Sequence, residues 1–251
     1  AITREVSPSI ERCELSYLER QPIDFAKASA QHQRYEHCLE ELGLRVIRVP
    51  AEPDLPDAVF VEDPVVVVEE IAVMARPGAE SRRPEGESLA KAIAPYRPLR
   101  WMTEPATLDG GDVLRMGRTL FVGRTPRTNA EGIAQLQESL GPFGYRVQPV
   151  EVRGCLHLKS GCSALGDDTV LIHPDWVDAA AFHEYRLVDV APGEAWAANV
   201  LTIGRTAIMP DGFPATRRAI EGLGWEVCPL DVSELMKAEA GVTCCSVVLE
   251  T

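Results

Sequence analysis

The chain has 251 residues and a formal net charge of −13 at pH 7. This charge would repel a nucleic-acid backbone or an anionic membrane surface, and no basic patch reverses it, so neither is expected as a partner. With 45% hydrophobic and 25% charged residues, the composition is that of a folded globular protein and excludes a mainly disordered chain.

The first residues and the cysteines predict a cytoplasmic location. Residues 1–11 carry charges at Arg4, Glu5 and Glu11 and lack the apolar core of a secretory signal. The seven cysteines include no Cys-x-x-Cys pair and form no regular framework, which favours reduced thiols. The five histidines are not spaced as zinc ligands, so no metal is expected. The oligomeric state stays open, a homodimer included.

The first predicted elements are a helix, a strand and a hairpin. An amphipathic helix is expected over 25–42, ended by Gly43, and a strand is expected over 44–50. Two apolar stretches, 59–68 and 71–74, are expected to pair as a hairpin.

Three later segments repeat this hairpin pattern. Segments 112–123 and 199–210 share a Gly-Arg-Thr turn between apolar strands, and 163–173 is a looser copy with a Gly-Asp-Asp-Thr turn. Predicted helices and glycine-led strands follow two of these hairpins, at 128–140 with 144–149 and at 216–223 with 224–229.

The repeating unit is therefore hairpin, helix and strand, about 50 residues long, and five units fit the chain. A strand at 244–249 is expected to complete the unit begun at the first residues. A ring of such repeats would bring loops from distant parts of the chain to a central channel. An open mixed sheet in one or two domains fits the same alternation.

Two motifs carry residues suited to catalysis. Asp109 and Asp112 flank a glycine pair directly before a predicted strand, where glycine allows a close backbone approach. The alternative is a tight hairpin start with solvated aspartates. In 154–160, Cys155 and His157 would share one face of an extended segment, although a lone histidine is more often structural.

A third motif places Cys244 and Cys245 side by side near the last residues. In a strand only one of them could face a pocket, and buried thiols are usually inert packing. A cysteine, a histidine and a carboxylate from separate loops would nevertheless supply the nucleophile, base and orienting group for covalent catalysis at an electrophilic carbon.

Charged segments predict the kind of ligand. Asp57, Glu62 and Asp63 surround an apolar segment predicted as a strand, and an acidic, partly desolvated pocket suits a guanidinium. Arginine-containing loops at 76–83 and 124–129 would suit a carboxylate, although most loop arginines are solvated. Together they predict an amino acid with a guanidino side chain.

These motifs together resemble the dimethylarginine dimethylaminohydrolase family, within the guanidino-group-modifying superfamily, over nearly the whole chain. The matching stretches are 25–44, Phe60-Val-Glu-Asp63, 76–83, Leu108-Asp-Gly-Gly-Asp112, Arg127-Thr-Asn129, Leu156-His-Leu-Lys159, Ala198-Asn199 and Gly241-Val-Thr-Cys-Cys-Ser246. The resemblance implies an α/β fold, a five-bladed propeller of ββαβ-type modules around a central channel, with 1–251 as a single catalytic domain.

The resemblance also implies residue roles. Cys244 would be the nucleophile, with Cys245 structural; His157 would be the general acid and base, and Asp109 would orient it. The implied substrate-binding residues are Glu62, Asp63 and Asp57 at the guanidinium, Arg82 and Arg127 at the α-carboxylate, Leu15 in a mobile lid, and Ala238 through its backbone carbonyl.

The implied reaction is hydrolysis of asymmetric dimethyl-L-arginine or monomethyl-L-arginine to citrulline and an amine, without metal or cofactor. One alternative is an arginine deiminase, although deiminases of this superfamily usually carry inserted helices that a chain this short lacks. Another is a non-catalytic protein that binds guanidino amino acids. The sequence leaves open whether zinc binds Cys244 and His157 as an inhibitor.

Overall fold

The computed structural model describes residues 1–249. Six α-helices are present in this part of the chain: α1 Phe25–Glu41, α2 Glu85–Ile93, α3 Ala130–Leu140, α4 Leu158–Gly161, α5 Pro214–Gly222 and α6 Ser233–Met236. The strands are β1 Ile2–Arg4, β2 Ile47–Val49, β3 Val65–Val67, β4 Ala72–Met74, β5 Leu99–Trp101, β6 Val113–Met116, β7 Thr119–Arg124, β8 Arg146–Glu151, β9 Cys162–Ala164, β10 Thr169–Ile172, β11 Arg186–Asp189, β12 Leu201–Ile203, β13 Thr206–Pro210 and β14 Glu226–Leu230.

Four consecutive modules each form a three-stranded sheet of the same topology. An antiparallel hairpin is followed by a third strand that runs parallel to the second. The sheets are β3-β4-β5, β6-β7-β8, β9-β10-β11 and β12-β13-β14. The helices before their third strands are α2, α3, the 3-10 helix Ala179–Phe182 and α5. The predicted repeat of hairpin, helix and strand is therefore confirmed.

Both ends of the described chain contribute to the fifth module. Strand β1 pairs in parallel with β2, and helix α1 lies between them in sequence. Ile2 pairs antiparallel with Val247 through backbone hydrogen bonds of 2.8 and 2.9 Å. The predicted strand at 244–249 is wrong, because Thr243–Cys245 is a 3-10 helix and Val247 makes an isolated bridge.

The first strands of the modules line a common central cavity of about 230 Å³. Its lining comes from β3, β6, β9 and β12 and from residues 246–248. Since all five modules contact one cavity, they are arranged around it, as in the predicted five-bladed α/β propeller. An open mixed sheet is wrong, because the strands form five separate small sheets.

Helix α1 forms where its sequence signals predict. The Asp24 carboxylate caps the first turn by accepting a hydrogen bond from Lys27 N at 3.0 Å. Tyr35 and Leu39 are four residues apart on one face, and both are buried in the core. Gly43 follows at φ +88°, a conformation that suits glycine directly after a helix.

Residues 57–63, predicted as a strand, and residues 154–160, considered as an extended segment, do not form strands. Residues 57–63 pass through consecutive turns before β3, since Pro56 and Pro64 bracket this segment and withhold backbone donors. In 154–160 the chain bends and enters α4, with His157 extended at its start. The helices found in residues 1–249 are each too short or too polar to cross a bilayer.

Gly132→Ala tests the packing of α3 against the loop before β6. Alanine normally stabilises a helix by about 1 kcal/mol relative to glycine. A Cβ on Gly132, however, would lie 2.1 Å from the Thr107 carbonyl oxygen. We therefore expect the free energy of unfolding to fall by about 1–3 kcal/mol in a urea titration. Gly222→Ala in α5, with nothing within 4 Å, is the control and should be neutral or stabilising. A stabilised Gly132→Ala protein would contradict this packing.

Candidate active site

A small cavity of about 10 Å³ brings together residues from distant parts of the chain. Its lining residues are Glu14, Asp57, Phe60, Asp63, Arg82, Arg127, Leu156, His157, Ala238, Glu239, Ala240 and Cys244. Seven of the ten predicted site residues are in this set. The other three, Asp109, Leu15 and Glu62, lie outside this lining.

His157 is held between two carboxylates. Its Nε2 lies 3.0 Å from Asp109 Oδ2, and its Nδ1 lies 3.8 Å from Asp63 Oδ1. A Cβ on Gly111 would lie 2.5 Å from His157 Nδ1. The glycine therefore permits the close backbone approach that was predicted for the Gly110-Gly111 pair. Asp109 is fully buried, which excludes the alternative of a solvated aspartate.

Asp63 and Arg82 form a buried ion pair. Arg82 Nη1 donates to Asp63 Oδ2 at 2.6 Å, while Nε and Nη2 donate to the Glu85 carboxylate at 3.0 and 2.9 Å. Burial raises the pKa of Asp63, but His157 and Arg82 outweigh it and lower the pKa to about 2. Arg82 therefore lines the cavity with its guanidinium already engaged, which differs from a free carboxylate anchor.

Arg127 has a donor that is not used. Its Nη2 donates to Ser16 Oγ at 3.3 Å, and its Nη1 lies 3.7 Å from Asp109 Oδ2. Nη1 is buried and has no hydrogen-bond partner among the described residues. Because a buried unpaired guanidinium N–H is costly, this atom marks a place where an anion would bind favourably.

A loop at 14–18 closes the cavity and contains the predicted lid residue Leu15. Asp57 Oδ2 accepts a hydrogen bond from Glu14 N at 3.1 Å. The Glu239 carboxylate accepts hydrogen bonds from the backbone N–H groups of 16–18 at 2.5 to 3.0 Å. A cavity of 10 Å³ holds about one water molecule, so a larger ligand requires this loop to move.

The two adjacent cysteines have different surroundings. Cys244 lines the cavity, and its Sγ accepts a hydrogen bond from Gly241 N at 3.4 Å. Burial, followed by the charges of Glu62 and Asp63, raises the pKa of the Cys244 thiol to about 12. Cys245 is completely buried in the apolar core, as a structural residue would be.

Glu62 faces the central cavity instead of the small one. Its carboxylate accepts hydrogen bonds from Lys159 Nζ at 2.5 Å and from Thr243 Oγ1 at 2.9 Å. Glu62 and Asp63 therefore line different cavities, and the role expected for Glu62 at the guanidinium stays a prediction. Glu62 lies behind Cys244, whose carbonyl accepts a hydrogen bond from Glu62 N.

His157 carries a proton at neutral pH in this arrangement. Burial lowers its pKa, but Asp63 and Asp109 outweigh that effect and raise the pKa to about 9. The cavity thus pairs an imidazolium with a neutral thiol. Ligand atoms of Asp63, Asp109 and His157 lie within 4.8 Å of one another. The proton on His157 and the Arg82 ion pair both oppose a metal there.

Known proteins are similar to this chain in sequence and in the arrangement of their modules. A family model described as N,N dimethylarginine dimethylhydrolase, eukaryotic, matches residues 12–193. An N(G),N(G)-dimethylarginine dimethylaminohydrolase from Streptomyces coelicolor is 40% identical over 250 residues, which cover 99% of this chain and 96% of the relative. The chain belongs to the dimethylarginine dimethylaminohydrolase family.

Solved structures of the family superpose on the chain. A dimethylarginine dimethylaminohydrolase from Pseudomonas aeruginosa, a cysteine-to-serine mutant complexed with citrulline, matches with a TM-score of 0.93 and 32% identity, covering 97% of this chain and 96% of its own. A histidine-to-glycine variant in an adduct with S-methyl-L-thiocitrulline matches with a TM-score of 0.92, 33% identity and the same coverage. The family likeness confirms the fold expected from the repeats.

Sequence reasoning missed Glu239. It lines the cavity directly after the predicted Ala238, it is buried, and its backbone has φ +59°. This left-handed conformation is uncommon outside glycine, and no sequence signal indicated it. An acidic residue beside a predicted substrate contact was the available hint.

Alkylation by iodoacetamide tests the protonation state of Cys244. Because the thiolate is the nucleophile and the pKa of Cys244 is about 12, the alkylation rate should rise about tenfold per pH unit from pH 7 to above 9. Mass spectrometry of the Cys244 peptide in a Cys245→Ser protein measures this rate. A rate that levels off between pH 7 and 8 would contradict the neutral thiol.

Proposed function

We propose that this protein hydrolyses asymmetric dimethyl-L-arginine and monomethyl-L-arginine to L-citrulline, with release of dimethylamine or methylamine. Family membership supports this reaction. The observation that carries it is one cavity shared by the Cys244 thiol, the His157 ring backed by Asp109, and the unpaired Nη1 of Arg127.

In this proposal the substrate's α-carboxylate binds Arg127. Nη1 supplies a buried N–H without a hydrogen-bond partner among the described residues, and Arg82 adds positive charge on the same cavity wall. The α-ammonium group is received by the Ala238 carbonyl, with Glu239 beside it. Leu15 covers the bound substrate once the loop at 14–18 has closed.

The guanidinium end of the substrate lies against the acidic wall. Asp57 and Asp63 line this wall, and their carboxylates suit the positive charge of a guanidinium. Glu62 contributes from behind Cys244 through its charge and not by lining the cavity. The acidic wall and Arg127 thus match the two charged ends of a guanidino amino acid.

The first chemical step in the proposal uses Cys244 as nucleophile. Entry of a guanidinium cation offsets the negative charges that hold the thiol neutral, so the thiol loses its proton to solvent and becomes a thiolate. The sulfur attacks the guanidino carbon. The protonated Nδ1 of His157, the ring nitrogen that does not bind Asp109, then delivers a proton to the departing amine as the carbon–nitrogen bond breaks, which leaves a covalent thiouronium on Cys244.

The second step removes the covalent group with water. His157, now neutral, takes a proton from a water molecule, and the oxygen attacks the same carbon. The carbon–sulfur bond breaks, the proton of the added hydroxyl passes to the departing sulfur, and citrulline and the neutral Cys244 thiol are released. The net reaction consumes one substrate molecule and one water and forms citrulline and one amine. Asp109 stabilises the imidazolium whenever it carries the proton.

The proposal also covers domain organisation and location. We propose that 1–251 acts as one catalytic domain, because Asp57 and Cys244 lie far apart in the sequence and share one cavity. A cytoplasmic location is supported by the reduced state that a thiol nucleophile needs, and all seven cysteines are free. The partner is a small molecule, which agrees with the net charge of −13.

Incubation with asymmetric dimethylarginine, arginine and agmatine in separate assays tests this function. We expect citrulline and dimethylamine from the first and little product from the other two. Arginine turnover with ammonia release would indicate a deiminase instead, and binding without turnover would indicate a binding protein.

Matched variants locate the chemistry in the same assays. Cys244→Ser should lose citrulline formation by at least about a thousandfold, whereas Cys245→Ser should retain it, because only the first sulfur lines the cavity. An active Cys244→Ser protein would overturn the assignment of the nucleophile.

Arg127→Ala should mainly raise KM, because the contact of Arg127 with the substrate is made in ground and transition states alike.

A further inference from the structure

Asp112 is a buried carboxylate to which the proposed mechanism gives no role. It is fully buried, and its backbone N–H donates to Asp109 O at 2.9 Å. No arginine or lysine pairs with it among the described residues. Three hydrogen-bond donors satisfy it instead: Leu158 N to Oδ1 at 2.9 Å, and the Thr125 and Thr128 hydroxyls to Oδ2, both at 2.6 Å.

Each of these three donors belongs to a segment that carries a proposed site residue. Leu158 directly follows His157 and begins α4. The Thr128 hydroxyl also accepts a hydrogen bond from Asp109 N at 3.3 Å. The Thr125 hydroxyl also accepts one from Arg127 N at 3.1 Å. The Asp112 carboxylate is therefore linked to the backbones of Asp109 and Arg127 through one threonine hydroxyl each, and to the residue that follows His157 directly.

We infer that Asp112 is a positioning residue that fixes the backbones of His157, Asp109 and Arg127 relative to one another. This inference rests on the function proposed above. Both hydroxyls use their hydrogen to bind Asp112 and a lone pair to receive a backbone N–H, so their direction is set by the carboxylate. An amide at this position cannot accept from all three donors, because one of its two terminal atoms is itself a donor.

The hydroxyls of Thr128 and Thr125 link Asp112 to different site residues, so we expect their removal to change different kinetic constants. Thr128→Val removes the link to Asp109, which orients His157, and should lower kcat about tenfold with KM within about twofold. Thr125→Val removes the link to Arg127, the carboxylate anchor, and should raise KM about three- to tenfold with kcat within about twofold. Thr128→Ser and Thr125→Ser keep the hydroxyls and should restore wild-type constants.

Thr216→Val is the matched control. Thr216 is fully buried in α5, and its hydroxyl accepts a hydrogen bond from Ala191 N at 3.0 Å, far along the chain from this network. The Thr216→Val substitution removes the same kind of hydroxyl contact, and it should leave kcat and KM unchanged. Asp112→Asn disturbs the contacts of both threonine hydroxyls, so it should lower kcat/KM at least as much as the two valine substitutions combined.

The outcomes separate this inference from the proposed function. If the wild-type protein forms no citrulline from dimethylarginine, the proposed function fails. If the wild type is active and both valine variants behave like Thr216→Val, or serine restores nothing, the positioning role of Asp112 is overturned. The threonine variants decide this question even if Asp112→Asn does not fold.

Discussion

A buried chain of alternating charges holds the site together. Glu85, Arg82, Asp63, His157, Asp109 and Arg127 follow one another with separations of 2.9, 2.6, 3.8, 3.0 and 3.7 Å. All six are almost completely buried. Charges are tolerated in a protein interior only when they are paired, and removing one partner of a buried pair typically costs about 3–5 kcal/mol. The fold must therefore bring all six charged side chains together in the interior.

The ring of modules meets this requirement with short loops. Because the first strands of four modules and residues 246–248 of the fifth face the centre, the segments next to them converge without long connections. Glycine allows the final approach: a Cβ on Gly110 would lie 2.0 Å from the Glu62 carbonyl oxygen, and one on Gly111 would collide with His157. Larger residues there would separate the charges that neutralise one another. The same closeness raises the pKa of His157 to about 9 and makes it a proton donor.

The repeats could be predicted from sequence because their signals are local. Glycines at positive φ, such as Gly43, Gly144 and Gly224, precede parallel strands in three modules, and the Gly-Arg-Thr turns mark two of the hairpins. Apolar runs between such signals then form strands. The helices at α1, α3 and α5 were predicted for the same reason, with ends displaced by one or two residues.

The contacts inside the site were harder to predict because they depend on tertiary geometry. Residues 57–63 are apolar enough to suggest a strand, yet they form turns between Pro56 and Pro64, and Glu62 and Asp63 line different cavities. Arg82 was expected to bind the substrate's α-carboxylate, but Asp63 and Glu85 already engage its guanidinium. Family motifs identified which residues meet, whereas their pairing and direction required the structure.

The central claim is that Cys244 attacks the substrate and carries a covalent intermediate. Acid quenching during steady-state turnover of asymmetric dimethylarginine, followed by peptide mass spectrometry with fragmentation, tests it most directly. The account predicts an adduct on Cys244 whose mass equals the substrate less dimethylamine. Two results would contradict it. One is citrulline formation with the adduct on Cys245. The other is product formation in a single-turnover burst with no adduct on Cys244.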